Sequence, residues 1–162
     1  MLDTQNDSIR QLRDAFGTVP TGVTVVTLCD DKGRATGITV GSFSSLSLEP
    51  ALVMFSVGSH QVSCRWFERC THFNVNVLSA HQAALAHQFA KPLKDKFAGV
   101  DWHEDQNGTP AIEDTLATFS CRKWNIMEAG DHWIVLGEIK DFRSKEGEPL
   151  VFHGGQMRHL AS

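Results

Sequence analysis

Residues 23–40, Val-Thr-Val-Val-Thr-Leu-Cys-Asp-Asp-Lys-Gly-Arg-Ala-Thr-Gly-Ile-Thr-Val, read as two strands and a turn. Val23, Val25 and Thr27 alternate with Thr24, Val26 and Leu28. A run that is β-branched or apolar at both phases of the alternation suits a strand covered on both faces. Asp30-Asp31-Lys32-Gly33 supplies turn residues, and 35–40 returns as the second strand. Upstream, Ile9, Leu12 and Phe16 fall at i, i+3 and i+7, with Asp7 or Ser8 placed to cap, which predicts a short leading helix. Downstream, the Ser-rich stretch 41–50 separates this pair from a third strand at 51–57. Val62, Trp66 and Phe67 share a helical face, and 73–78 returns to strand alternation. Ser79 and Gln82 have the spacing of a capping box ahead of an alanine-rich helix that Lys91-Pro92 ends. A loop follows, then strands at 118–126, 132–142 and 150–152. Six or seven strands with a few short helices and no βαβ alternation disfavour a Rossmann sheet. They predict a mainly β, Greek-key-like antiparallel barrel, closed or nearly closed because closure removes exposed edges. A barrel this small fills its interior with side chains, so a ligand sits on its outside or at a subunit boundary.

The chain has 162 residues, the size of one domain. A single domain over 1–162 is expected, with 1–15 as the leading helix and 156–162 as a tail. Fifteen Lys and Arg against nineteen Asp and Glu give a net charge of -4. Without a basic block there is no footprint for a phosphate backbone, so no nucleic-acid partner is expected. No apolar run reaches the length of a membrane span, and the polar start is unlike a signal peptide; a cytoplasmic protein with no membrane partner is expected. Cys29, Cys64, Cys70 and Cys121 form no CxxC pair, which argues for free thiols rather than a disulfide framework or a metal knuckle. Cys70 and His72 alone are too few ligands for a metal site.

Nucleophilic chemistry finds no support: there is no G-x-S-x-G elbow, no His-paired Cys motif and no Gly-rich phosphate loop. What stands out is the density of hydroxyl and Gly residues from Thr36 to Ser47. Such a stretch presents backbone N–H groups and hydroxyls at close range to a polar heterocycle or a phosphate; read from composition alone, an ordinary solvated loop between two strands is the favoured reading.

The order of six segments decides between these readings. They are PTGVTVVT at 20–27, GITVGSFSSLSLEPALV at 37–53, FNVNVL at 73–78, KFAGVDW at 96–102, GDHWIVLGEI at 130–139 and PLVFHGG at 149–155. Together they resemble the short-chain NAD(P)H:flavin oxidoreductase family from about Phe16 to Gly155. The resemblance implies an FMN-binding split β-barrel, a homodimer, and an enzyme that uses NADH or NADPH to reduce FMN or FAD. It further implies that reduced flavin passes to a separate monooxygenase component. By the same resemblance Thr21, Gly22, Val23 and Thr24 approach the flavin ring, and Thr39, Val40, Gly41, Ser42 and Phe43 offer backbone polar groups to its edge. Gly41 stands where relatives often carry Asn or Ser. Ser45 and Ser47 match hydroxyls near the ribityl phosphate. Asn76, Val77 and Gln82 match a further flavin-contacting stretch, although Gln82 serves equally well as the capping-box partner. Phe89, Lys96 and Phe97 match a loop over the phosphate and adenine, with Lys96 as its cation. His132 matches a position beside the nicotinamide and His153 a pocket residue. The chain contains no Tyr, so an aromatic that often closes the last motif is absent.

Hydride transfer from nicotinamide to flavin needs no protein nucleophile, only two stacked rings and a favourable electrostatic setting. That chemistry is consistent with the missing triad, and gives His132 the task of orienting the nicotinamide or relaying a proton. Two other readings remain at this point: a flavoprotein with tightly held flavin that reduces a metal complex, corrinoid or quinone, and a non-enzymatic flavin or haem binder on the same barrel.

Overall fold

The computed structural model describes residues 4–160; positions 1–3 of the expected leading helix and 161–162 of the expected tail lie outside the described residues. The elements in order are α1 (Thr4–Phe16), β1 (Thr21–Gly22), β2 (Thr24–Cys29), β3 (Ala35–Val40), β4 (Ser44–Leu48), β5 (Ala51–Gly58), α2 (Val62–Arg69) and β6 (His72–Val77). A 3-10 turn (Ala80–Gln82), α3 (Ala83–Ala90), β7 (Trp102–Glu104), β8 (Pro110–Ile112), β9 (Ala117–Ala129), β10 (His132–Ser144), β11 (Val151–His153) and β12 (Gln156–Arg158) follow. The main sheet has seven antiparallel strands in the order β3-β2-β6-β9-β10-β5-β4. A three-stranded sheet, β1-β11-β12, and a β7-β8 hairpin flank it.

β2 lies at the boundary of two hydrophobic clusters, which explains its double alternation. Val26 and Leu28 face a cluster that includes Phe55, Phe67 and Phe73, whereas Val23 and Val25 face one that includes Phe89, Phe97 and Ile112. In the first cluster Phe55 meets Phe67 and Phe73 edge-on, with ring centroids 5.0 Å and 5.4 Å apart, the geometry that aromatic quadrupoles favour. A Cβ on Gly137 of β10 would stand 2.5 Å from Phe73 Cζ, so only glycine lets β10 pass that ring. Bulges in the β9–β10 pairing, at Leu136/Gly137 and Ile139/Asp141, bend these long strands around the core. Beyond β3, Ser42 Oγ accepts from Ser56 N (2.9 Å) and donates to Ser56 O (3.3 Å). The end of β3 is thereby brought back to β5, and the curled sheet forms a barrel with an open seam and β4 outside it.

The mainly β barrel with short helices matches the expected fold class. Five short strands exceed the sequence reading. The Ser-rich stretch expected as a loop contains β4, paired with β5 across a register shift; its composition is that of a loop, and pairing overrides it. β7 and β8 occupy a segment read as a loop, β1 has only two residues, and β12 lies within the stretch expected as a tail, paired with β11.

Candidate functional site

A cleft of about 620 Å³ lies along the open edge of β3, between the start of α2, the end of α3 and residues 91–96. Ile38 and Thr39 form its floor, Gln61, Val62, Ser63 and Trp66 one wall, and Phe89, Leu93 and Lys96 part of the other. Gln61, the N-cap of α2, accepts from Ser63 Oγ at 3.4 Å but caps no backbone N–H of the first turn, so the positive end of the helix is left without a side-chain cap. Lys96 is only 8% exposed. Its Nζ donates to Gly37 O and Phe89 O, both at 2.9 Å, tying β3 to the end of α3. Among the described residues no carboxylate pairs with it, and burial pushes its ammonium below the usual lysine value. A buried cation whose protein partners are carbonyls alone carries uncompensated charge, which an anion in the cleft would neutralise.

Gly41 lies two residues beyond Thr39, against β1. A Cβ there would stand 3.1 Å from Thr21 Oγ1, and this buried hydroxyl has no hydrogen-bond partner among the described residues. Unused hydrogen-bonding capacity beside bare backbone is what the polar edge of a heterocycle would fit. β1 pairs with β11, Thr21 opposite Phe152, which brings the exposed His153 to the same corner.

The β9–β10 hairpin turns at Gly130 (φ +63°). His132 Nδ1 lies 2.7 Å from Asp131 Oδ1. The hydrogen bond from His132, and then its positive field, hold the Asp131 carboxyl below the usual aspartate range. His132 pairs across the sheet with Gly58, whose carbonyl accepts from Gln61 N at 3.1 Å. The hairpin tip thus adjoins the turn that opens into the cleft wall.

The structure therefore brings Thr39, Phe89 and Lys96 together at the cleft, and Thr21, Gly22, Gly41, Ser42 and His153 toward the adjoining corner. Several expected contact residues are placed otherwise. Asn76 is fully buried, its Nδ2 donating to Val25 O and Thr27 Oγ1 (both 2.9 Å) and its Oδ1 accepting from Ile112 N (3.0 Å). Gln82 is spent likewise, accepting from Ser79 N (3.0 Å) and donating to Glu113 O (3.1 Å); the capping role accounts for it. Val23, Val40 and Thr24 are buried, Thr24 donating to Val40 O, and half-buried Val77 pairs within the sheet with Thr24 and Ala117. Phe97 packs edge-on against Phe89 at 4.9 Å in the core. Phe43 stacks on Phe119 at 5.8 Å. Ser45 and Ser47 stand on β4 opposite Val53 and Leu52. Lys96, expected as the cation of a loop, is a buried clamp. Gln61, Val62, Ser63, Trp66 and Leu93 were not anticipated. The signal available for them was the helix start at 61–62, with Trp66 one turn on.

Ser79, His81 and Asp114 deserve comparison with a hydrolytic triad. His81 Nε2 lies 2.7 Å from Asp114 Oδ2, but Ser79 Oγ lies 3.2 Å and 3.5 Å from the two ring nitrogens, directed at neither one alone, and reaches Asp114 O at 3.4 Å as well. The nearby N–H groups are spent, Ser79 N on Gln82 and Ala80 N on Glu148 O, so no oxyanion hole remains. The cluster is a structural strap.

With this geometry in hand, the sequence model described as "Flavin reductase like domain" matches residues 16–161. The chain is 38% identical over 154 residues to the reductase component of a flavin-dependent trigonelline monooxygenase from Acinetobacter baylyi, covering 95% of this chain and 49% of that protein. It is 40% identical over 149 residues to the FMN reductase (NADH) SmoA of Agrobacterium fabrum, covering 92% and 84%. Its fold superposes on the NADH:FAD oxidoreductase SgcE6 of Streptomyces globisporus, solved with NAD and FAD fragments, with a TM-score of 0.90 at 37% identity over 99% and 96% of the two chains. It spans 49% and 59% of the lengths of the trigonelline relative and of the Rhizobium meliloti stachydrine N-demethylase reductase subunit, and most of the other two. A family match over nearly the whole chain, together with the split barrel and its cleft, establishes that the protein belongs to the flavin reductase-like domain family.

Proposed function

We propose that the protein is an NAD(P)H-dependent flavin reductase that reduces FMN or FAD and supplies the reduced flavin to a separate monooxygenase. The observation that carries this reading is the buried Lys96 ammonium, without an anionic partner among the described residues, at a cleft of cofactor size. Relatives described as an FMN reductase (NADH) and as a monooxygenase reductase component support it.

Flavin, when bound, supplies the ring that accepts a hydride from the nicotinamide. Lys96 and the start of α2 would hold its phosphate. The backbone of residues 39–43 and the Thr21 hydroxyl would meet the polar edge of the ring system, where fixed dipoles favour the negative charge that builds on reduction. Val62, Trp66 and Leu93 give the cleft apolar walls that exclude water. His132 would orient the nicotinamide. The residues thus bind and position, as hydride transfer between stacked rings requires.

A homodimer completes the proposal. Leu52, Met54, Ile134, Leu136 and Met127 share the outer face of β5, β10 and β9, each half-buried or exposed, beside Leu46 and the almost fully exposed Leu48. A contiguous apolar sheet face of this kind calls for a partner surface. No described helix is long and apolar enough to cross a membrane, and the four free thiols support a cytoplasmic setting.

The test is NADH and NADPH oxidation in air with FMN, FAD or no flavin added. Oxidation that rises and saturates with added flavin is expected. Oxidation independent of added flavin, with yellow protein as purified, would replace this reading with that of a tight flavoprotein; none under any flavin would remove the enzyme.

A further inference from the structure

We propose that Gln88 is a positioning residue for Lys96: its side-chain amide grips the Lys96 main chain, so that the ammonium stands ready for the phosphate of the flavin before the flavin arrives. The inference rests on the flavin-reductase reading and deepens it, since it gives a residue outside the cleft a part in recognising the anion inside it.

Two observations carry it. The first is that adjacent residues of α3 hold Lys96 at both ends. Its Nζ donates to Phe89 O at 2.9 Å, while its carbonyl accepts from Gln88 Nε2 at 2.8 Å. The same Nε2 donates to Ala98 O at 3.0 Å, so the amide spans the two carbonyls that flank Phe97. The Phe97 ring packs on Phe89 at 4.9 Å and anchors the segment to the core, but a ring contact does not orient the Lys96 peptide; a hydrogen bond to its carbonyl does. The second observation is that the chain leading into Lys96 has little other support. Residues 91–95 are all exposed, and the main-chain bonds of Lys91 N to Gln88 O (3.3 Å) and of Leu93 N to Lys91 O (2.9 Å) are local. Gln88 stands half-buried on α3 and is not part of the cleft wall.

The consequence follows from the cost of ordering a lysine. An ammonium has three N–H donors, and Gly37 O and Phe89 O take two of them, which leaves one for a phosphate oxygen. The ammonium rides on a flexible four-carbon stem, and fixing such a side chain at the moment of binding subtracts from affinity. With the main chain and the ammonium both held in the free protein, that cost is met in folding. Only a donor serves at position 88: a glutamate there would set acceptors against two carbonyl oxygens, and a methionine would fill the same space without donating. The effect is confined to the phosphate, because the ring system is met by other residues.

The probes are FMN and riboflavin, and the quantity compared is the ratio of their affinities, read by flavin fluorescence, in wild type, Gln88→Met, Gln88→Glu, Lys96→Met and the double variant Gln88→Met with Lys96→Met. The preference for FMN is expected to fall by about fivefold in Gln88→Met, the cost of ordering one long side chain, and at least as far in Gln88→Glu, with riboflavin bound as in wild type. In the double variant the preference should equal that of Lys96→Met alone, because Gln88 acts only through that ammonium. If Lys96→Met fails to fold, the two Gln88 variants still decide the matter. A preference unchanged in both of them would overturn the inference and leave the cleft as the flavin site. Equal weakening of FMN and riboflavin would overturn it as well, since a loosened α3 and not a misplaced charge would then be the cause. Wild-type protein that binds FMN no better than riboflavin would instead remove the cleft as the flavin site, and this inference with it.

Discussion

Asn76 and Thr21 make opposite use of a polar side chain. Both side-chain polar atoms of Asn76 are engaged with named partners inside the fold, the amide nitrogen with two acceptors and the amide oxygen with one donor. Replacing it with alanine leaves the buried Ile112 N–H without its acceptor, and stability should fall by about 2–3 kcal/mol in chemical denaturation. Flavin affinity of the folded protein should stay as in wild type; a selective loss of affinity with stability intact would restore Asn76 to the binding site. Among the described residues Thr21 Oγ1 has no hydrogen-bond partner. Thr21→Val removes an unpartnered buried hydroxyl, so the melting temperature should hold or rise, while flavin binding weakens by about fivefold. A fall in melting temperature with unchanged flavin affinity would contradict the role given to that hydroxyl.

The segment between β8 and β9 shows how an element is anchored. Asp114, at φ +60°, pairs with Lys145 and with His81 Nε2, while Lys145 N donates to Leu116 O at 2.8 Å. This straps the approach to α3 onto the end of β10. Its carboxyl is held below the usual aspartate value first by the Lys145 hydrogen bond and then by that from His81. The hydrogen bond from His132 does the same at Asp131, and that from Lys140 leads at Glu138, outweighing partial desolvation. A carboxyl depressed in the folded state contributes stability above its unfolded value and loses it as pH falls through the folded one. Melting temperature should therefore be independent of pH near neutrality, where these groups contribute in full, and decline once pH drops below the ordinary values of 3.8 to 4.5. Asp114→Asn should blunt that acid decline; an equally steep one would show that the strap does not contribute. Elements such as β2, β3, β5, β6 and α3 were legible because periodicity and capping are local. β4 and the β7–β8 hairpin were not, since Ser-rich or mixed sequence becomes strand only by pairing with a distant partner. The same limit applied to the site. The motif order located β3 and Lys96, but sequence cannot show that Asn76 points inward, that Lys96 is buried, or that α2 brings Trp66 to the cleft.

For the whole molecule, the outer face of β5, β10 and β9 and the exposed Leu48 predict association. Sedimentation should give twice the chain mass for wild type, and Met54→Asp combined with Leu48→Asp should shift it to the monomer; a monomeric wild type would remove the dimer from the account. The open edge of β3, the start of α2 and the end of α3 frame one cleft, whose defining feature is a buried cation with no carboxylate partner among the described residues. The most direct measurement is therefore the comparison of FMN with riboflavin, which lacks the phosphate, by equilibrium binding to wild type and to Lys96→Met, a change that keeps the apolar stem and removes the charge. Wild type should prefer FMN by roughly tenfold or more, as a charge-assisted contact implies, and folded Lys96→Met should lose most of that preference. An equal preference for FMN in both proteins, or none in wild type, would contradict the assignment of this cleft as the flavin site.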